Sequence, residues 1–157
     1  MMRGQWFDYG QPAVAGFRAA LQNGTPPDSV QLLFVRARAL LERGAFRSAV
    51  IEASAALETA LTRKIQQSLT VAGFSAARIS AELKARERFG DRAKSLLKKA
   101  TGTSAATLDG GLWQRVLQQR DHFRHGVAHS DLEPTKQNAE KAIDDFAKLA
   151  RLIEQIP

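Results

Sequence analysis

The chain has 157 residues, 44% hydrophobic and 25% charged, which suits one soluble domain with a buried core. It contains no cysteine, which excludes a disulfide framework, a thiolate zinc site and a thiol nucleophile, and accords with a reducing, cytoplasmic setting. The net charge of +7 fits a polyanion, an acidic partner or solubility alone, and neither the polar-interrupted run 65–77 nor the opening MMRGQWFDYG fits a membrane span or a signal peptide.

Residues 1–27 carry no helical period and end in NGTPPDS, a turn followed by a helix start. They read as an arm or partial helix leading into a single domain over 28–157. Asp28 or Ser29 can cap the first helix, in which Val30, Leu33, Phe34, Ala37, Leu40 and Leu41 recur at helical spacing up to a stop at Gly44. The second helix, 45 to about 70, has Phe46, Ala49, Val50, Ala53, Ala56, Leu57, Ala60 and Lys64 on one stripe. Ile51, Leu61, Ile65 and Leu69 form another stripe roughly opposite, which predicts a central helix with neighbours on two sides. Glu58 falls on that second stripe, where a carboxylate needs a partner.

VAGFSA interrupts the pattern. A third helix over about 77–99 turns Ile79, Leu83, Phe89, Ala93, Leu96 and Leu97 inward, while the stretch 78–99 carries eight Lys or Arg against three Asp or Glu. ATGTSAATLDGG predicts a loop, and a fourth helix runs over about 112–129. SDLEP then breaks the chain, with Pro134 placed for the N-terminus of a last helix. That helix is amphipathic, with Ala139, Ala142, Ile143, Phe146, Leu149, Leu152, Ile153 and Ile156 on its apolar face. No β-alternation and no repeat stands out. The fold class predicted is all-α, a single-domain bundle of about five helices.

The fourth helix carries RDHFRHGVAHSD (120–131), which holds all three histidines of the chain, His122, His125 and His129. Trp113, Val116, Leu117, Phe123, Val127 and Ala128 define its apolar stripe, and Arg120 and Arg124 fall inside that stripe. Buried arginines need a partner, so either Glu58 or Glu52 neutralises them or the stripe faces a phosphate or a second protomer. The histidines cluster on another side of the helix. A plain polar face, a metal site and metal-free phosphodiester chemistry are the three readings of this cluster. Metal is disfavoured because adjacent arginines repel a divalent cation, so no metal and no cofactor are expected. For phosphodiester chemistry the residue types suit: histidine moves protons near neutral pH, and arginine offers a fork of donors to phosphate oxygens.

The segment from Arg124 to His129 resembles the R-x-x-x-x-H signature of the HEPN superfamily, with His125 in the polar position after the arginine. Arg120 to His125 satisfies the same spacing. The second copy is preferred because the motif histidine in that family tends to close a helix before a small residue and a loop, as His129-Ser130-Asp131 does. Upstream, AFRSAVIEASAALETALTRKI (45–65) is similar to the family's long helix with its Ala-Leu-Glu segment, here Ala56-Leu57-Glu58. The resemblance covers roughly residues 30–155; the duplicated motif and the arm depart from it.

What the resemblance implies is a four-helix bundle core that forms a homodimer through its motif helices and cuts RNA without metal. Many such members are toxins or antiviral effectors, and others only bind nucleic acid, nucleotides or protein. Carried over, Arg124 holds the scissile phosphate, His129 transfers the proton and His125 supports them. The helical wheel adds Arg120 as a phosphate clamp, Glu58 as the residue that orients an arginine, and His122 as a neighbour in support. Arg86, Arg92, Lys98 and Lys99 are the candidates for an RNA track. The expected function is therefore a metal-independent endoribonuclease with RNA as partner, and with room for an antitoxin or an activating protein. The alternative is a non-catalytic interaction module that binds RNA or protein.

Overall fold

The computed structural model describes residues 22–24, 28–129 and 134–157, with the side chains of 124–129 outside the description. Most of the expected arm, residues 1–21 and 25–27, and the break at 130–133 lie outside the described residues as well. Among the described residues every regular element is helical, as the sequence pattern requires.

Asp28 starts the bundle. Its carboxylate accepts the N–H groups of Val30 at 2.9 Å and Gln31 at 3.1 Å, two of the donors that a helix N-terminus leaves open. Helix α1, Ser29–Glu42, buries Val30, Phe34, Ala37 and Leu41. It stops at Gly44, whose φ of 78° is left-handed backbone, and the N–H groups of Gly44 and Ala45 reach back to the carbonyls of Leu41 and Leu40. The short turn sends α2, Phe46–Val71, back along α1 as a helical hairpin.

Helix α2 is the central element. Its alanines at 49, 53, 56 and 60 are fully buried and let α1 and the last helix approach closely. The second stripe of α2 behaves differently along its length. Leu61, Ile65 and Leu69 are buried, but Ile51 is 54% exposed. The expectation of apolar neighbours on both sides therefore holds only for the C-terminal half of α2; around Ile51 the second side is open.

The third helix predicted over 77–99 is broken. Helix α3, Ala76–Ala85, begins on a Ser75 cap and ends at Arg86; α4, Phe89–Asp91, then continues through a π-helical turn, Arg92–Leu96, into α5, Leu97–Thr101. Ile79 and Leu83 are out of phase with Phe89, Ala93 and Leu96 by roughly 95° on a straight helix of 3.6 residues per turn. The break and the wide turn bring both sets to one core. Arg92 seals the junction: its guanidinium donates to the carbonyls of Arg86 at 2.8 Å and Leu83 at 3.2 Å.

ATGTSAATLDGG, expected as a loop, contains the short helix α6, Ala105–Leu108, because Ser104 and Thr107 form a capping box. Helix α7, Gly110–His129, follows, and Asp109 accepts the N–H of Leu112 at 2.8 Å. That backbone bond, with Lys148 beside it, holds the Asp109 carboxyl below the usual range. Helix α8, Lys136–Glu154, is capped by Thr135, which accepts the N–H of Asn138 at 3.2 Å. Pro134 is buried two residues ahead of α8 instead of sitting in its first turn. Arg63 donates to both Asp28 and Glu154, and Lys64 donates to the carbonyl of Ile156, so α2 fastens the start of α1 and the end of the chain together. No helix among the described residues is long and apolar enough to cross a membrane.

Candidate functional site

Helix α7 positions the motif, and Arg120 positions helix α7. Leu112, Trp113, Val116 and Phe123 bury the α7 stripe in the core, and Arg120 lies in line with them at 5% exposure. Its guanidinium donates to the carboxylate of Glu58 and to the Ser54 hydroxyl, which stand one turn apart on α2. The guanidinium carbon also lies 3.9 Å from the centroid of the Phe89 ring, a cation–π contact away from water. Phe89 also stacks on Trp113, with centroids 5.7 Å apart and planes inclined at 30°. Trp113 and Arg120 are seven residues apart, two turns of one helix, so Phe89 fits the step between them.

The charge requirement read from the sequence is thus met at Arg120 by Glu58. Glu52 instead stands 3.9 Å from Arg36. One assignment needs correction: Arg120 is not placed as a phosphate clamp. Its side chain is 4% exposed and its donors point to Ser54, Glu58 and the aromatic face. The role expected of Glu58, to orient an arginine, is exercised on Arg120.

Of the residues carried over from the motif, the backbones of Arg124, His125 and His129 belong to α7, while their side chains lie outside the described residues. His122 is exposed, and its ring stands edge-on to Phe123 with centroids 5.3 Å apart. The basic stretch divides into two kinds of residue. Arg92 turns inward to cap α3, which corrects its assignment to an RNA track. Arg86 and Lys99 both donate to Glu82, each at 2.5 Å. The Lys99 hydrogen bond above all, then that of Arg86, holds the Glu82 carboxyl below the usual range. Lys98 is exposed and has no acidic partner among the described residues.

Beside the Arg120–Glu58 pair is a groove of about 350 Å³. Val50, Ile51 and Ala55 of α2, Phe123 of α7 and Phe146 of α8 give it apolar walls, and Ser54, Glu58 and Arg120 give it polar ones. The Glu58 side chain is 44% exposed there. The sequence offered only a partial signal for this groove. Ile51, Ser54 and Glu58 share one face by their spacing, but Phe123 and Phe146 are brought in by tertiary packing alone. Compared with protein-family models, curated proteins and solved structures, the chain matches none of them.

Proposed function

We propose that the protein is a metal-independent endoribonuclease of HEPN type that works through Arg124 and His129. The observation that carries this is the anchoring of Arg120. Two overlapping R-x-x-x-x-H copies lie on α7, and the arginine of the first is buried against Glu58, Ser54 and Phe89. Arg120 thereby fixes the helix one turn before Arg124 and leaves the second copy to act on substrate. In the reaction His129 takes the proton of a ribose 2′-hydroxyl, or returns one to the leaving group. The 2′-oxygen bonds to phosphorus as the P–O5′ bond breaks. The products are a 2′,3′-cyclic phosphate and a 5′-hydroxyl, so no water and no redox partner is consumed. Arg124 neutralises the phosphorane oxygens and His125 supports the pair. A homodimer through α7 would supply a second histidine as acid. An antitoxin or an activating protein would act at this same helix.

The test is cleavage of a mixed RNA pool in EDTA by the pure protein, with His129→Ala and Arg124→Ala alongside. Cleavage by the wild type should fall about 100-fold or more in either variant. Equal cleavage by all three proteins defeats the proposal. A second reading, a non-catalytic interaction module, is favoured by one observation: the open side of α2, where Ile51 is 54% exposed. On that reading the wild type gives no cleavage in EDTA but still binds RNA or protein.

A further inference from the structure

The open side of α2 is a concave surface with a single carboxylate among the described residues that line it, and that combination selects its ligand. Oε1 of Glu58 takes the hydrogen bond from Arg120, and Oε2 receives none among the described residues. Because the guanidinium already balances the charge, a ligand that brings a second cation gains little; a ligand that brings neutral N–H donors gains a charge-assisted hydrogen bond. The flanking walls at Ile51, Ala55 and Phe123 are apolar and suit a flat ring. A volume of about 350 Å³ lies at the small end of ligand pockets and is enough for a fused ring system.

We propose that this groove is a nucleobase subsite that prefers guanine, which rests on the assignment of RNA as the substrate. Guanine places N1–H and N2–H side by side on one edge, and these match a carboxylate with a free oxygen and a second lone pair on the other. Adenine and cytosine offer only an amino group on that edge. In uracil the single N3–H lies between two carbonyl oxygens that a carboxylate repels. The groove shares helix α7 with the motif, since Phe123 lines it and Arg124 is the next residue. A base seated there selects which phosphodiester enters the site.

The experiment is a methyl-NMR titration of the full chain with guanosine 3′-monophosphate and with the adenosine, cytidine and uridine equivalents. The expected result is saturable shifts at Ile51 and Ala55, with guanosine 3′-monophosphate binding about tenfold more tightly than the others. Glu58→Gln should remove that preference, and Ala55→Trp, a substitution at an exposed position, should remove the binding by filling the groove. Equal affinity for the four nucleotides, or shifts confined to the basic surface around Lys98, overturns the proposal. So does an oligomer that Ala55→Trp converts to monomer with no nucleotide bound, which would make the groove a protein interface. Guanosine binding without cleavage in EDTA would sink the nuclease and leave the subsite standing. Cleavage without base preference and without groove binding would do the reverse.

Discussion

The guanidinium of Arg120, 4% exposed, is paired with the carboxylate of Glu58, 44% exposed, so one member of the pair belongs to the core and the other to the surface. The two substitutions that break the pair should therefore differ. Glu58→Ala takes the carboxylate from a cation in the core that also meets the Ser54 hydroxyl and the Phe89 ring, at an expected cost of about 2–3 kcal/mol. Arg120→Met keeps most of the volume and returns a half-exposed carboxylate to water, at an expected cost below about 1.5 kcal/mol. Adding Glu58→Ala to Arg120→Met should then cost little more. Urea unfolding of the three variants checks the order, and an Arg120→Met protein less stable than Glu58→Ala contradicts it.

Asp28 links the N-terminus of α1 to Arg63. Partial burial pushes its carboxyl up, but the Arg63 hydrogen bond and the N–H groups of Gln31 and Val30 outweigh that and hold it below the usual range. A carboxyl depressed on folding contributes stability above its unfolded value, about pH 3.9, and loses it as pH falls through the folded value. Asp28→Asn keeps a capping oxygen and removes the charge, so the wild type should be more stable at pH 7 by about 0.5–1 kcal/mol. That difference should shrink between pH 7 and about pH 3, because it is lost as pH falls from the unfolded value through the lower folded one. Urea midpoints at the two pH values measure it. A gap that persists unchanged in acid would show that the charge of Asp28 is not the source.

Gly44 closes α1 with φ of 78° and nothing within 4 Å of where a Cβ would stand. The cost of a side chain is then conformational only, and Gly44→Ala should destabilise by about 1 kcal/mol. A loss several times larger would mean that the turn changes course, which hydrogen exchange at Gly44 and Ala45 would reveal.

The two ends of α1 and the burial of the alanine stripe were legible because capping and helical periodicity are local. The break after Ala85 was not. RERFG contains no proline, and its one glycine follows the break, so local propensity favours a continuous helix. What decides otherwise is Phe89, which has to reach the step between Trp113 and Arg120, together with Arg92, whose donors satisfy the carbonyls that the break exposes. The same limit applies at the site. A buried arginine on α7 and a carboxylate on α2 each announce the need for a partner, and Glu58 was one of two candidates. That Ser54 and Phe89 complete the pocket around Arg120, and that Ile51 is left open beside it, follows from how helices far apart in sequence pack.

Lys98 and Arg92 were equal candidates for an RNA track, and the structure separates them. Lys98 stands exposed and without an acidic partner among the described residues, whereas Arg92 is half-buried and donates to two main-chain carbonyls. If a short single-stranded RNA runs along this face, Lys98→Ala removes one phosphate contact. Binding should weaken for every sequence alike, and the slope of log affinity against log salt should become shallower by about 0.7. Arg92→Ala should leave that slope unchanged and instead lower stability by about 1–3 kcal/mol, because the carbonyls of Leu83 and Arg86 each lose the guanidinium's hydrogen bond. Fluorescence titrations at several salt concentrations, beside urea unfolding of the same proteins, read both quantities. A salt slope that moves with Arg92 and not with Lys98 would place the RNA elsewhere on the surface.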